Sequence, residues 1–246
     1  MTCIVVKNGL LAVESATTQS DHNRLKLTNK IQLVPGGLIN GDPVRAIVGT
    51  GSSYLCRTVR ELYRDHVWRI THGELDIVGN DQRLEPFETE SLEFKNWFNA
   101  YFKHNLGRES ATILALGNAK PYRTKGGRHV VKGVRVIMGD DVLSHVAGVN
   151  LVEHHFGCGR YTTQKLGSVF TDHHLTAAEL VWLSTKLNSG CNGVVQSLDL
   201  TDPTSRVCIY APTKKRKMQL ASLLRKHLLD ALVSEPAIDP PTTTEV

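Results

Sequence analysis

The chain has 246 residues, of which 41% are hydrophobic, and it carries a formal net charge of +5. This length allows one sizeable hydrophobic core or at most two small ones. No apolar run approaches the ~20 residues that a membrane-spanning helix needs, and the N-terminus lacks the pattern of a secretory signal. We therefore expect a cytoplasmic protein that has no membrane partner.

The cysteines and histidines do not form a familiar ligand pattern. The five cysteines are odd in number, irregularly spaced and without a CxxC pair, unlike a disulfide framework. The histidine groups His154-His155 and Asp172-His173-His174 lack the i, i+4 spacing of a zinc-binding helix. We expect reduced thiols, surface or interface histidines, and no metal or other cofactor.

Short apolar runs in the first part of the chain predict about four strands, over 2–6, 10–13, 27–34 and 44–49. The dipeptide Asn8-Gly9 favours a two-residue hairpin turn between the first two strands. The segment Pro35-Gly36-Gly37 predicts a loop between the next two. Apolar residues at helical spacing then predict helices over 52–66 and 89–105.

Strands return in the second half of the chain, over 111–116, 130–137, 193–200 and 206–210. The basic, glycine-containing stretch 118–129 predicts a loop between two of them. A helix is predicted over 176–187, where Thr176 and Glu179 have capping-box spacing. This order predicts an α+β fold, a four-layer αββα sandwich in which helices enclose two antiparallel sheets.

The C-terminal segment differs from the rest in charge and composition. Residues 213–233 predict a basic amphipathic helix, and 234–246 predict a disordered tail beyond a single domain over 1–212. Much of the net charge comes from 214–217, so the positive balance is local. We expect the helix to pack its leucines on the domain. The alternatives are docking on a partner ring or ATPase, and nonspecific binding of a phosphate backbone.

The dipeptide Met1-Thr2 is the first candidate for chemistry. Initiator methionine is usually removed before a small residue, which would give Thr2 a free α-amine. An α-amine has an unperturbed pKa of about 7.7–8.0, so it can act as general base near neutral pH. Nucleophile and base are then held on one residue without a histidine. Many proteins begin with Met-Thr, so the dipeptide alone identifies nothing.

The residues that follow Thr2 carry a resemblance to a known family. Segment 2–17 resembles the opening of proteasome β-subunits and bacterial HslV, with a Thr-led strand, a glycine turn, a second strand and an acidic residue before Ala-Thr. These proteins are N-terminal-nucleophile (Ntn) hydrolases. Glu14 lies where the family has an aspartate, and segment 29–33 resembles the one with the family's lysine. The resemblance therefore implies that Lys30 stabilises the nucleophile and that Glu14 orients Lys30.

A glycine-rich segment later in the chain is similar to the strand-to-helix turn of this family. In the family, a glycine N–H in this turn forms the oxyanion hole. Within 47–53, Gly49 is the best match for that glycine and Gly51 is the next. Backbone N–H groups at the start of a helix suit this task.

Three further positions match the family's pattern with changed residues. Cys158 lies where the family has the serine of a Gly-Ser-Gly turn near the nucleophile. Asn188 and Cys191 stand in for a family aspartate and serine. The resemblance extends over roughly residues 2–210 and is densest at the N-terminus.

The resemblance implies a threonine-type peptidase that hydrolyses peptides or proteins inside a ring of its own copies. An ATP-dependent unfoldase is the partner that would feed such a ring. The first alternative is a catalytically inactive Ntn-fold scaffold or interaction subunit, because a retained Met1 would remove the base. The lower alternative is a nucleic-acid-binding protein that uses the basic C-terminal helix; a nucleic-acid partner is the least favoured reading.

Overall fold

The computed structural model describes residues 2–18, 25–39, 42–53, 56, 111–121, 128–138, 145–187 and 193–233. The chain forms two compact units, Met1–Tyr210 and Ala211–Val246. The predicted helix over 89–105 and the predicted tail over 234–246 lie outside the described residues. Little of the predicted helix over 52–66 is described, although the Cys56 N–H donates to the Ser52 carbonyl (3.0 Å), as in a first helical turn.

The first five-stranded sheet contains the N-terminal hairpin. Its antiparallel order is β10-β1-β2-β11-β12, with β1 Cys3–Lys7, β2 Leu10–Glu14, β10 Glu153–Gly157, β11 Val195–Asp199 and β12 Cys208–Tyr210. The predicted hairpin is confirmed: Asn8 and Gly9 both have positive φ, at 50° and 84°. Ile4 lies opposite Val13, so the start of β1 and the end of β2 reach the same edge of the sheet.

The second five-stranded sheet has the antiparallel order β5-β6-β7-β8-β9. Its strands are β5 Gln32–Ile39, β6 Asp42–Gly51, β7 Ala111–Pro121, β8 His129–Met138 and β9 His145–Leu151. Two short strands, β3 Ala16–Thr18 and β4 Leu25–Leu27, pair with each other separately. The prediction of two antiparallel sheets in an α+β fold is confirmed.

Two loop predictions are wrong. Pro35-Gly36-Gly37 lies inside β5, where the pairing with β6 shifts between Leu33 and Gly37. An irregular edge strand tolerates such residues, because proline's missing N–H removes no bond from a regular ladder. The stretch 118–129 is also partly strand, since β7 continues through Pro121 and β8 begins at His129.

The two large sheets share one hydrophobic core. This core contains side chains of both sheets, among them Ile4, Val6, Leu11, Val13, Ala46, Val48, Leu114, Leu116 and Val131. Burial of each large aliphatic side chain contributes about 1.5–3 kcal/mol to stability. A continuous core of this kind holds the sheets together and fixes the ends of their strands.

One layer of helices contacts the first sheet. Helix α1 (Arg160–Val169) contacts β1 and β10, and helix α2 (Ala177–Leu187) contacts β1, β2 and β11. The capping box of α2 is confirmed, because the Glu179 N–H donates to Thr176 Oγ1 (3.2 Å) and the Thr176 N–H donates to Glu179 Oε2 (2.9 Å). The described residues of the first unit thus form one helix layer and two five-stranded sheets, besides the short β3-β4 pair. The four-layer sandwich stays a prediction.

The second unit contains helix α3, which extends over Lys214–Val233 and confirms the predicted C-terminal helix. Its first turn contains no acidic residue. None of the helices in the described part of the chain combines the length and the apolar content needed to cross a membrane.

Candidate active site

Three of the predicted site residues meet at one edge of the first sheet. Thr2 immediately precedes β1, and Glu14 is the last residue of β2. Lys30 lies in an irregular segment that precedes β5. All three residues are buried. Thr2 and Glu14 are twelve positions apart in sequence, and they come together because both lie at the open end of the antiparallel hairpin β1-β2.

The ammonium group of Lys30 contacts the hydroxyl group of Thr2. Lys30 Nζ donates a hydrogen bond to Thr2 Oγ1 at 2.7 Å. The same nitrogen donates to the Ala16 carbonyl and lies 3.7 Å from Glu14 Oε2. A cation in hydrogen-bond contact with a hydroxyl oxygen stabilises negative charge that develops there. The Thr2 oxygen is therefore in a suitable environment for a nucleophile.

The carboxylate of Glu14 is fixed mainly by backbone groups. Its Oε1 accepts hydrogen bonds from the N–H of Ala16 and from the N–H of Gly193 (3.1 Å), while Oε2 faces Lys30. Burial raises the pKa of Glu14 above its ordinary value, against the opposing effects of Lys30 and these two N–H donors. Glu14 is thus held in one orientation by groups that favour its charged form.

The turn between β10 and α1 contacts the backbone of Thr2. The Thr2 carbonyl accepts from the Cys158 N–H (3.0 Å), and the Cys158 thiol lies 3.4 Å from the same oxygen. Gly157 has φ +84°, and a Cβ on it would lie 2.0 Å from the Thr2 carbonyl oxygen. Only glycine fits there, because both the backbone conformation and the space exclude a side chain. The structure thus places Cys158 in contact with the Thr2 backbone, and its predicted role stays a prediction.

The C-terminal end of β6 also reaches the site. A Cβ on Gly157 would lie 3.0 Å from Thr50 Oγ1, so the Thr50 hydroxyl lies beside the Thr2 backbone. Gly49 and Gly51, the two candidates for the oxyanion N–H, flank Thr50 in β6. Their role stays a prediction. Asn188 and Cys191 lie outside the described residues, so their predicted roles also stay predictions.

Sequence reasoning missed Gln196, although it contacts the lysine segment. The Lys30 backbone N–H donates to Gln196 Oε1 (2.9 Å), and Gln196 Nε2 donates to the Thr28 carbonyl (3.0 Å). Gln196 is buried in β11. A polar residue in a predicted strand normally indicates a solvent-facing position, so no pattern distinguished it. Its bonding partners are 166 and 168 positions away in the chain.

The histidines do not form a metal site in the described residues. No group of three or more His, Cys, Asp or Glu side chains is placed there to hold a metal ion. The prediction of surface or interface histidines is wrong for His155, which is buried within this chain, with Nδ1 2.9 Å from Thr163 Oγ1 and Nε2 3.4 Å from Glu153 Oε1. Burial lowers its pKa, so the neutral imidazole is favoured. We interpret His155 as a structural link to α1.

Comparisons with known proteins give a likeness of fold. No family model matches the sequence, and no curated protein matches it. The structure is similar to that of a mutant, denoted Gly-1, of Anbu from Hyphomicrobium sp. strain MC1, with a TM-score of 0.58 and 12% sequence identity. The similarity covers 97% of this chain and 99% of that chain. At this identity the likeness shows that the two chains share a related fold.

Proposed function

We propose that this chain is a threonine-type Ntn peptidase subunit in which Thr2 is the nucleophile. The observation that carries the proposal is the 2.7 Å hydrogen bond from Lys30 Nζ to Thr2 Oγ1, in a buried site beside Glu14. A lysine that contacts a hydroxyl oxygen favours the alkoxide over the alcohol. The two antiparallel sheets and the likeness of fold to Anbu are compatible with the proposal.

The proposed reaction begins with the removal of Met1, which gives Thr2 a free α-amine. This amine takes the proton of the Thr2 hydroxyl, directly or through a water molecule, as Oγ1 attacks the scissile carbonyl carbon. The resulting tetrahedral intermediate carries negative charge on the former carbonyl oxygen. The Gly49 N–H, at the end of β6, is the proposed donor to that oxygen.

The intermediate then collapses to an ester between Thr2 and the acyl part of the substrate. The C–N bond breaks, and the Thr2 ammonium returns its proton to the leaving amine. Water attacks the ester, with the same amine as base, and releases the acid and the Thr2 hydroxyl. Lys30 stays charged in both half-reactions and stabilises the developing charge on Oγ1, while Glu14 holds Lys30 in place.

The assembly is proposed from resemblance. Proteasome β-subunits and HslV form closed rings that enclose their active sites, and we propose a ring of this chain with an ATP-dependent unfoldase as partner. Native mass spectrometry of the purified protein measures the number of copies. A monomer at micromolar concentration would contradict this part of the proposal without affecting the proposed chemistry.

The chemistry is tested with a β-lactone or epoxyketone probe. We expect wild-type protein to form one covalent adduct on Thr2, because its hydroxyl is the activated nucleophile. Thr2→Ser keeps a hydroxyl and is expected to be labelled, whereas Thr2→Ala is not. Peptide mapping by mass spectrometry locates the adduct.

The same samples distinguish the inactive scaffold from the enzyme. Intact mass measures whether Met1 is present in the purified protein. If Met1 is retained in the assembled form, the proposed base does not exist and the peptidase proposal fails. Equal labelling of wild type and Thr2→Ala would also contradict it and would favour the scaffold.

A further inference from the structure

The backbone that carries Lys30 is not part of a β-ladder. Residues 28–31 have no regular secondary structure and connect β4 to β5. Pairing of β5 with β6 begins only at Gln32, which lies opposite Ile47. The position of Lys30 Nζ therefore depends on what holds this irregular segment as well as on the groups around the ammonium.

The Gln196 carboxamide bonds to this segment as a neighbouring strand would. It accepts from the Lys30 N–H at 2.9 Å and donates to the Thr28 carbonyl at 3.0 Å. A peptide group in a β-ladder makes the same pair of interactions, one donor and one acceptor. Gln196 is itself buried, and its bond to the Lys30 N–H forms away from water, where an unsatisfied polar group costs about 1–3 kcal/mol. Its bond to the Thr28 carbonyl is partly buried.

The base of this side chain is held rigidly. Gln196 lies opposite Val13 of β2 on one side and opposite Ile209 of β12 on the other. β11 is therefore flanked by strands on both sides, and β2 carries Glu14 at its end. The strand that positions the lysine backbone is thus directly paired with the strand that supplies the lysine's carboxylate partner.

We infer that Gln196 is a positioning residue that fixes the Lys30 backbone so that Nζ meets the Thr2 hydroxyl. This inference rests on the proposed function for its catalytic consequence. Lys30 is then anchored at two points, by Gln196 at the backbone and by Thr2, Ala16 and Glu14 around the ammonium. Thr28 also donates from its N–H (2.9 Å) and its hydroxyl (3.3 Å) to the Ser15 carbonyl, and Ile31 is buried in the core. The segment is thus held on both sides of Lys30, while Gln196 bonds to Lys30 itself.

Positioning of this kind affects rate more than binding. A misplacement of about 1 Å in a reacting group can lower a rate roughly 100-fold. Gln196 touches neither Thr2 nor the proposed oxyanion donors in the described contacts, so it acts through Lys30. Loss of Gln196 should therefore lower the rate of adduct formation and leave the affinity for the probe unchanged.

Two substitutions separate the hydrogen bonds from packing. Gln196→Met keeps the length and unbranched shape of the side chain and removes both bonds. Leu198→Val is the matched control: Leu198 lies two residues away on the same face of β11 and belongs to the hydrophobic core. It lowers stability by about 0.5–1.5 kcal/mol, to judge from truncations of similar size, without removing a contact to residues 28–30.

The first readout is amide hydrogen exchange, which needs no enzyme activity. We expect the Lys30 amide to exchange about 5- to 10-fold faster in Gln196→Met than in wild type, because one hydrogen bond is lost. Leu198→Val should leave its exchange within twofold. Unchanged exchange in Gln196→Met, or an equal increase in Leu198→Val, would overturn the inference.

The second readout is the rate of labelling by the β-lactone probe. Gln196→Met is expected to lower the maximal labelling rate at least ~10-fold with little change in the probe concentration at half-maximal rate. If wild-type protein is not labelled at all, the proposed function fails, and the exchange experiment still decides whether Gln196 anchors Lys30. If exchange rises while labelling stays at the wild-type rate, the positioning role is contradicted.

Gln196→Glu supplies a pH signature that packing alone would not give. A protonated carboxyl group accepts one bond and donates another, as the amide does, whereas a carboxylate cannot donate to the Thr28 carbonyl. Exchange protection and labelling rate, each relative to wild type at the same pH, should therefore approach wild-type values as pH falls and decline as it rises. A ratio to wild type that does not change with pH would contradict the bridging role of the carboxamide.

Discussion

The Glu14 carboxylate accepts a hydrogen bond of 3.1 Å from the backbone N–H of Gly193, and this bond joins the end of β2 to the segment that leads into β11. The same oxygen accepts from the Ala16 N–H, which leaves the other oxygen facing Lys30. Two backbone N–H donors thus orient the Glu14 carboxylate, which lies beside the Lys30 ammonium. The backbone around these donors has little freedom to move without breaking the bonds. The site therefore requires the backbone at Gly193 to lie very close to the Glu14 side chain.

This close approach predicts a large effect of Gly193→Ala. A Cβ on Gly193 would lie 2.4 Å from the Ala16 nitrogen and 2.5 Å from Glu14 Oε1, closer than atoms can pack. The backbone must move, which breaks the Gly193 bond to Glu14 and leaves the buried Oε1 with one backbone donor, Ala16, instead of two. We expect a loss of about 2–4 kcal/mol in the free energy of unfolding, measured in urea, and at least ~10-fold slower probe labelling.

The matched control for that substitution is Gly167→Ala. Gly167 lies within α1, and a Cβ there would meet only Glu153 Oε1, at 3.3 Å, the end of an exposed side chain. Alanine favours a helix interior by about 0.5–1 kcal/mol over glycine, so this variant should be at least as stable as wild type. If both variants lose stability equally, the argument from close approach is wrong.

Removal of the Lys30 ammonium should have a larger effect on the labelling rate of Thr2 than on the stability of the fold. We expect Lys30→Met to slow adduct formation at Thr2 by at least ~100-fold, because the hydroxyl loses its 2.7 Å cationic partner. The single variant leaves Glu14 buried without its partner. The double variant Lys30→Met with Glu14→Gln removes that unpaired charge, so it should recover stability and remain unlabelled.

Lys7 provides a control for the loss of a lysine as such. Lys7 Nζ lies 3.0 Å from Glu153 Oε1 in an ion pair that is partly open to solvent. Pairs of this kind contribute about 0–1 kcal/mol, so Lys7→Met should change neither stability nor labelling appreciably. Slow labelling in Lys7→Met would mean that the effect of Lys30→Met is not specific to the contact with Thr2.

Local sequence patterns were sufficient for the parts of the fold that such patterns determine. The Asn8-Gly9 turn and the Thr176 capping box were predictable because each is complete within a few residues. α1 was not predicted, since its sequence contains Thr, Gly, Ser and Val, which are weak helix formers. Its helical state therefore depends on packing against β1, β10 and α2. The sequence patterns also do not predict strands β9 and β10.

The site was predictable to the extent that the resemblance contained it. Short matched segments of the sequence predict Thr2, Glu14 and Lys30 as site residues, and the structure brings these three side chains together. Gln196 and Thr50 could not be named, because their importance comes from contacts between distant strands. A single glutamine in an apolar strand gives no signal until the pairing of strands is known.

The cysteines of the site should differ sharply in reactivity. Cys158 is exposed, whereas Cys3 is buried and its pKa is raised to about 12, chiefly by burial. At pH 8, roughly one Cys3 thiol in ten thousand is then ionised, and only the thiolate reacts. We expect iodoacetamide to modify Cys158 and the exposed Cys208 but not Cys3, as measured by peptide mass spectrometry.

Alkylation of Cys158 should also slow labelling of Thr2. The thiol lies 3.4 Å from the Thr2 carbonyl oxygen, so an added acetamide group occupies space beside Thr2, the proposed nucleophile. Cys158→Ser cannot be alkylated and keeps the backbone bond to Thr2, so its labelling should resist iodoacetamide. Cys208→Ser is the matched control and should remain sensitive. Equal sensitivity of all three proteins would contradict the placement of Cys158.

The raised pKa of Glu14 predicts how stability depends on pH. Burial makes this carboxyl group harder to ionise in the folded chain than in the unfolded chain, whose ordinary value is 4.5. The unfolded state therefore releases the proton first as pH rises. The contribution of Glu14 to stability is fully present below pH 4.5 and is lost as pH rises through the folded pKa.

Glu14→Gln removes this dependence while it keeps an oxygen that can accept from Ala16 and Gly193. The free energy of unfolding of Glu14→Gln relative to wild type should therefore increase between pH 4 and pH 7, measured by urea unfolding at each pH. The labelling rate of Glu14→Gln relative to wild type should fall over the same pH range, because the proposed site needs the charged Glu14 carboxylate to hold Lys30. A relative stability that falls with pH would mean that attraction to Lys30 outweighs burial, and that the pKa of Glu14 is lowered.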